Sequence, residues 1–251
     1  MRVIINTIIL AIELTLISAA AWLAWRQPMI FAALTALLIL AFGWRLEWDR
    51  LSHELTFYME AGRNTWVKRA GLVFVASSET IVKALLTGSA ALLTFTGLAP
   101  QRLLLAAIMF GAITFLGTSA LRRLTRSFNV RPSRWGYFRL AVPLGLMFSL
   151  GTQILVGIGL IETKTLTEIA KALVFDLPEH PGLPQLSEFL FDLKQALDAL
   201  IQAFLLRLVG EPYATAIGVV ISLNVLSGLA IAIYAVLIAD LVRRLEDNWL
   251  R

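Results

Sequence analysis

The chain contains no cysteine, and only two of its 251 residues are histidine. The absence of cysteine excludes disulfides, thiolate metal sites and cysteine nucleophiles. His53 and His180 both lie outside the long apolar runs, so a membrane haem or chlorophyll held by histidines would have no ligands within those runs. We therefore predict that the protein has no bound metal and no other cofactor.

Enzyme motifs are also lacking. The sequence has no H-E-x-x-H zinc motif, no G-x-S-x-G nucleophile elbow, no phosphate-binding P-loop and no Gly-rich dinucleotide turn. Intramembrane aspartyl catalysis needs a pair of aspartates, and Asp240 is the only aspartate in the predicted spans. These absences predict that the protein is not an enzyme.

Charged residues are scarce, at 16% of the chain, whereas hydrophobic residues make up 58%. A soluble protein of this size cannot cover so much apolar surface. Several apolar runs approach or exceed the roughly 20 residues that cross the hydrocarbon core of a bilayer. We predict an all-α polytopic membrane protein, a single membrane domain over residues 1–251 with about six transmembrane helices in three hairpin-like pairs. The predicted spans are 3–25, 28–43, 70–98, 103–121, 138–161 and 213–242.

The connections between the spans differ in length. Tight proline-containing turns, "WRQP" and "APQR", join spans one and two and spans three and four into helical hairpins. The connector 44–69 has an amphipathic helical pattern, and it either lies on the cytoplasmic surface or extends span two. The insertion 162–212 faces outward and contains a second amphipathic helix, which lies on the outer leaflet, covers the bundle or pairs with a copy of itself. The first run is too long for a signal peptide, so we expect it to be retained.

Basic residues gather on one side of these spans. Loop 121–139 has six arginines and no acidic residue, and further basic residues precede span three and follow span six. The positive-inside rule then places both termini in the cytoplasm, and we expect the membrane to be a bacterial inner membrane. The six arginines are predicted to set topology and to contact anionic lipid headgroups, and not to bind nucleic acid. They are Arg122, Arg123, Arg126, Arg131, Arg134 and Arg139.

Three ionisable residues fall in the interior of the apolar runs, away from the span ends, where an unpaired charge costs about 3 kcal/mol. Glu13 lies near the centre of span one, and Glu79 and Lys83 lie roughly 15 and 20 Å along span three from Arg69. Their four-residue spacing lets Glu79 and Lys83 neutralise each other. Glu13 has no partner nearby in sequence. We hypothesise that Lys83 is shared between the two glutamates, or that Glu13 stays protonated because it is buried.

Small and polar residues recur every four positions on spans three and five, and similar residues follow one another along span six. Such stripes are typical of helix faces that pack against other helices. They predict a path for an ion, a proton or a small polar solute, although they are also compatible with groups that only fix helix register. The candidate path residues are Glu13, Glu79, Lys83, Thr87, Ser149, Gln153 and Asn224.

Two functions are compatible with this pattern. The first is a small channel or transporter, oligomeric or part of a complex, and the polar stripes favour it. The second is a non-catalytic subunit or scaffold of a larger membrane complex, and the two amphipathic helices favour it because they offer docking surfaces to other membrane subunits. The sequence shows no selectivity-filter motif and predicts no broken helix.

Overall fold

The computed structural model describes residues 2–58, 65–95, 100–128, 132–160, 182–210 and 213–250. These residues are almost entirely helical and include no strand, which confirms the all-α prediction. The helices are α1 (Arg2–Arg26), α2 (Pro28–Leu38), α3 (Trp44–Tyr58), α4 (Thr65–Phe95), α5 (Pro100–Phe128), α6 (Pro132–Gly157), α7 (Leu183–Val209), α8 (Tyr213–Ile221) and α9 (Ser227–Leu250).

Six helical stretches are long and apolar enough to cross a membrane. Their lengths and composition indicate a multi-pass membrane protein. The stretches are Ile4–Arg26, Pro28–Ser52, Arg69–Phe95, Pro100–Phe128, Arg139–Val156 and Asn224–Trp249. The helix predicted within the insertion 162–212 corresponds to α7, whereas residues 162–181 and 211–212 of that insertion lie outside the described residues.

An aromatic cluster near one end ties four helices together. Phe31 of α2 packs edge-on against Phe95 of α4 and Phe110 of α5, with ring centroids 5.2 Å apart in each case. It also stacks on Tyr234 of α9 at 5.5 Å. The Tyr234 hydroxyl lies 3.2 Å from the Thr35 hydroxyl, so its polar end is satisfied inside the core.

The opposite end of the same helices carries most of their charged side chains. From the aromatic cluster, α2–α3 runs to this end as far as Glu47, and α4 returns from it through Lys83, which contacts Glu47. In the same way α5 and α9 run there to Arg122 and Glu246, which are hydrogen bonded. We call it the basic end, because the exposed arginines Arg69, Arg123, Arg126, Arg139 and Arg244 lie on the parts of the helices that reach it.

The second helix continues past its predicted end at residue 43. A π-helical turn, Ile39–Gly43, joins α2 directly to α3, so the helix runs without a break from Pro28 to Tyr58. The connector 44–69 was predicted either to lie on the cytoplasmic surface or to extend span two. Its residues up to Tyr58 extend span two. α3 packs against α4, which leaves Leu46 and Leu51 buried.

The last helix is interrupted, contrary to the sequence-based expectation of an unbroken span over 213–242. α8 ends at Ile221, Ser222 is non-helical, and a short 3₁₀ turn, Leu223–Leu226, leads into α9. The Ser222 side chain accepts a hydrogen bond from the Asn224 backbone N–H at 3.2 Å, a serine cap that favours a new helical start over continuation of the old one.

Two glycines allow α6 to touch the backbone at this interruption. A Cβ atom on Gly145 would lie 2.1 Å from the Val225 carbonyl oxygen, and one on Gly228 would lie 2.0 Å from the Ala141 carbonyl oxygen. Small residues at helix crossings of this kind let main chains approach closely in membrane bundles. The start of α9 is therefore held directly against α6.

Replacing Gly145 by alanine should destabilise the fold by about 1–3 kcal/mol, because the added methyl group meets backbone that cannot rotate away. The free energy of unfolding in detergent micelles measures this effect. Gly71→Ala on α4 is the matched control, since a Cβ atom there has no neighbour within 4 Å. The control should be neutral or stabilising by up to about 1 kcal/mol, and equal losses in the two variants would contradict the close crossing.

Candidate functional site

Four charged side chains form a network between α3 and α4, which we call the Lys83 cluster: Glu47, Arg50, Glu79 and Lys83. The Lys83 ammonium donates to Glu47 and lies 3.3 Å from Oε2 of Glu79. The Arg50 guanidinium donates to that same Glu79 oxygen at 2.8 Å and lies 3.2 Å from Oε2 of Glu47. The charges of these two acids and two bases alternate and cancel, and Arg50 also lies 3.8 Å from the exposed Glu54 carboxylate.

Glu47 is the most deeply placed member of this cluster. Its side chain is fully buried, whereas Glu79 is 35% exposed. Tyr137, near the start of α6, is also buried. Burial and the nearby Glu47 carboxylate raise the pKa of Tyr137 above its ordinary value, so this phenol stays neutral beside the cluster.

A second neutral network, the Arg122 cluster, joins α1, α5 and α9 through Glu13, Arg122, Arg126 and Glu246. The two outer nitrogens of Arg122 divide between two acids, with Nη1 2.5 Å from Glu13 and Nη2 2.7 Å from Glu246. Arg126 adds a 2.8 Å bond to the same Glu246 oxygen. Glu13 is fully buried, Arg122 is 18% exposed, and Arg126 is 59% exposed.

The predicted sharing of Lys83 between Glu79 and Glu13 is wrong. Glu13 pairs with Arg122, and the second partner of Lys83 is Glu47. The reason is the packing of the helices, because α1 lies against α5 and α9, whereas Lys83 faces α3. Glu13 therefore has a cationic partner after all, supplied from far along the chain.

Polar groups also surround the interruption between α8 and α9. The Ser149 hydroxyl of α6 donates to the Val219 carbonyl at 2.8 Å, a carbonyl that an unbroken helix would pair with the backbone of residue 223. The hydroxyls of Thr94 and Ser227 lie 2.9 Å apart at the start of α9. Asn224 is 7% exposed. One backbone carbonyl at this break is thus bonded by a side chain of α6, and a side chain at the start of α9 is bonded by one of α4.

A cavity of about 20 Å³ opens beside the break. Three helices and the break contribute to its wall. The lining residues are Gln153, Asp198, Ile201, Gln202, Gly218 and Ser222.

The structure distributes six of the seven predicted path residues over three places, and Thr87 bonds only within its own helix. Glu79 and Lys83 meet in the Lys83 cluster, and Glu13 lies in the Arg122 cluster. Ser149, Gln153 and Asn224 gather around the break. Thr87 is buried, and its hydroxyl donates to the Lys83 carbonyl of its own helix at 2.6 Å.

The six arginines predicted to contact lipid headgroups do not all have the same environment. Arg123, Arg126 and Arg139 are exposed at the basic end. Arg122 was predicted to face lipid headgroups. In the structure its side chain instead points inward and donates hydrogen bonds to Glu13 and Glu246. Arg131 lies outside the described residues, as does the side chain of Arg134.

Sequence reasoning missed Glu47, Arg50 and Glu246, and for Glu47 a signal was present. Glu47 lies three residues after Trp44 and four before Leu51, so it falls within the apolar face of the amphipathic helix. An acid in that position indicates a buried partner. Glu246 follows the last span among other charged residues, and nothing in its local pattern distinguishes it.

Within the described part of the chain, no three His, Cys, Asp or Glu side chains come together as metal ligands would. No family model, curated protein or solved structure matches the chain. The features of the described residues that bear on function are the two charged clusters, the break between α8 and α9 and the cavity beside it.

Proposed function

We propose that the protein is a multi-pass membrane transporter for an ion or small polar solute. The observation that carries this proposal is the break at Ser222, a buried residue at the junction between the short helix α8 and the last candidate span, Asn224–Trp249. Membrane helices rarely break, because each freed backbone group must find another partner. In transporters, discontinuous helices supply the backbone groups of substrate and ion sites.

The two ends of the bundle differ in a way that supports a carrier over an open channel. At the basic end, the Lys83 and Arg122 clusters fill the spaces between helices with paired charges. Beside the break, polar side chains line a cavity. In an alternating-access carrier, the site is open to one side of the membrane and closed to the other in each state. The cavity suits the open side, and the ion pairs suit the closed side.

The proposed orientation places the basic end in the cytoplasm of a bacterial cell. Exposed arginines at that end, such as Arg123 and Arg126, support it, because cytoplasmic flanks of membrane helices are enriched in basic residues. These side chains also suit contact with anionic headgroups of the inner leaflet. Both chain termini, the start of α1 and the end of α9, lie on the same side in this arrangement.

A test of transport uses purified protein in liposomes, with fluxes of protons, sodium, rubidium, chloride and glycerol measured against empty liposomes. At least one flux should exceed the background. Ser149→Ala should reduce it about fivefold, because the variant removes one hydrogen bond of about 1 kcal/mol from the break. Ser78→Ala is the matched control, since that exposed hydroxyl bonds within its own helix.

The second candidate is a non-catalytic subunit of a membrane complex, and one observation favours it. α7 exposes apolar side chains, among them Leu200, Phe204 and Leu208, each more than half exposed. A partner subunit would cover such a face. Absence of every flux, together with stoichiometric partners that co-purify from the native membrane, would favour the subunit and reject transport.

A further inference from the structure

We infer that the Arg122 cluster binds a proton on Glu13, and that binding of this proton opens the basic end of the proposed carrier. The inference rests on the proposed transport function and names its coupling ion. Oxygen Oε2 of Glu13 accepts from Arg122 at 2.5 Å. The other oxygen, Oε1, is buried and has no hydrogen-bond partner among the described residues. A buried charge with an unbonded oxygen is costly, and a proton on the carboxyl removes that charge.

Glu13, and not Glu246, is the acid of the cluster that a proton relieves. Glu246 accepts from both Arg122 and Arg126 and is 18% exposed, so two cations balance its charge and water reaches it. Glu13 is fully buried beside one bonded guanidinium. An ionised carboxyl inside a protein needs a counter-charge and also hydrogen bonds to its remaining lone pairs. Glu13 has the first and lacks the second.

The charged groups that act on Glu13 come from the helices packed around α1. α5 supplies Arg122 and Arg126, and α9 supplies Glu246. α2 also packs on α1, and its residues Pro28–Leu38 include no charged side chain. The cluster becomes steadily more exposed from Glu13 through Arg122 to Arg126. Water at the basic end is therefore the source of the proton.

Proton uptake changes the charge of the cluster. Its two acids and two bases cancel when Glu13 is ionised, and one net positive charge remains when Glu13 is neutral. Arg122 then retains Glu246 as its acid. A hydrogen bond to a neutral carboxyl is roughly half as strong as one to a carboxylate. The link from α1 to α5 through Glu13 and Arg122 is therefore weakened.

The contact on either side of Glu13 is apolar. Ile9 and Ile17, one turn before and one turn after Glu13, are buried in one cluster with Ile238 and Val242 of α9. Apolar contacts are non-directional, whereas the ion pair fixes one arrangement of the helices. Loss of the ion pair thus frees α1 to shift against α5 and α9, which opens the basic end.

Infrared difference spectra between neutral and acidic pH, recorded on the purified protein in detergent micelles, test proton binding. A protonated carboxyl that lacks hydrogen bonds absorbs at a higher frequency than a hydrated one, so Glu13 should give a separate band on acidification. Glu13→Gln should remove this band. Glu54→Gln is the matched control, at a carboxyl that is 52% exposed, and it should leave the band unchanged.

Glu13→Asp covers the case in which Glu13→Gln fails to fold. It keeps a carboxyl on the same face of α1 and should shift the band without removing it. Absence of the band at every pH at which the protein stays folded overturns the inference. Persistence of the band in Glu13→Gln, or an unshifted band in Glu13→Asp, also overturns it.

Cysteine labelling tests the opening, and the chain has no cysteine of its own. Thr118→Cys places a thiol at a fully buried position of α5, one turn before Arg122, and Ser127→Cys places a reference thiol at an exposed position of the same helix. The maleimide rates are compared as a ratio, which removes the change in thiolate fraction that both sites share. The ratio of Thr118→Cys to Ser127→Cys should rise about tenfold or more on acidification, as expected when one charged hydrogen bond is lost.

In the Glu13→Gln background the same ratio should be high at every pH, because the amide carries no charge. A ratio that does not change with pH overturns the inference. A pH-dependent ratio that Glu13→Gln leaves unaltered overturns it as well.

Flux measurements on the same preparations separate this inference from the transport proposal. Flux of a solute that a pH gradient does not drive and Glu13→Gln does not alter retains transport and rejects proton coupling. A Glu13 band with pH-dependent labelling, in a protein that conducts no flux, retains the proton site and rejects transport.

Discussion

Replacing Arg122 by methionine should destabilise the protein by about 3–5 kcal/mol, the largest loss that we expect from a single substitution. The reason is the position of its two partners. Glu13 is fully buried and has Arg122 as its cationic partner, so the variant leaves a buried carboxylate without its counter-charge. Glu246 keeps its bond to Arg126 and contributes little to the loss.

The measurement is the free energy of unfolding in detergent micelles, with Arg126→Met as the matched control. Arg126 is 59% exposed, and such surface pairs contribute about 1 kcal/mol or less. Adding Glu13→Gln to Arg122→Met should recover more than half of the loss, because the double variant no longer buries a lone charge. Equal losses from Arg122→Met and Arg126→Met would show that Glu13 does not depend on Arg122.

Replacing Lys83 by methionine should cost about 3 kcal/mol, at the low end of the range for a broken buried pair. Glu47 is fully buried and loses its ammonium donor, but it retains Arg50 at 3.2 Å. Arg69→Met, at an exposed position on the same helix, should have a negligible effect.

The rescue pattern identifies the partner of Lys83. Glu47→Gln should restore most of the stability that Lys83→Met removes, whereas Glu13→Gln should restore none, because Glu13 belongs to the other cluster. Rescue by Glu13→Gln, or no rescue by Glu47→Gln, would contradict the pairing in the structure.

The helices were predictable because long apolar runs carry their own signal. A run such as 103–121 needs no partner to be identified, and α5 covers it. The interruption at Ser222 was not predicted, since it contains neither proline nor a charge. A signal was nevertheless present in the spacing of Ser222, Asn224 and Ser227, whose side chains compete for backbone hydrogen bonds.

The charged partners were harder to predict because they come from distant parts of the chain. Glu13 and Arg122 are 109 positions apart, and no local pattern reports such a contact. One indication existed on α5, where Phe110, Thr114 and Thr118 are buried at four-residue intervals and Arg122 is the next member of that series. The four-residue spacing of these buried residues therefore predicts that Arg122 lies on the same packed face of α5.

The separation between Glu13 and Arg122 also affects how the protein is made. At about 5–20 residues per second, a ribosome needs roughly 5–20 s to synthesise the residues between them. During that interval α1 has no guanidinium for its carboxylate, and an unpaired charge at mid-bilayer costs about 3 kcal/mol. The Glu13–Arg122 pair can therefore form only after α5 has been synthesised.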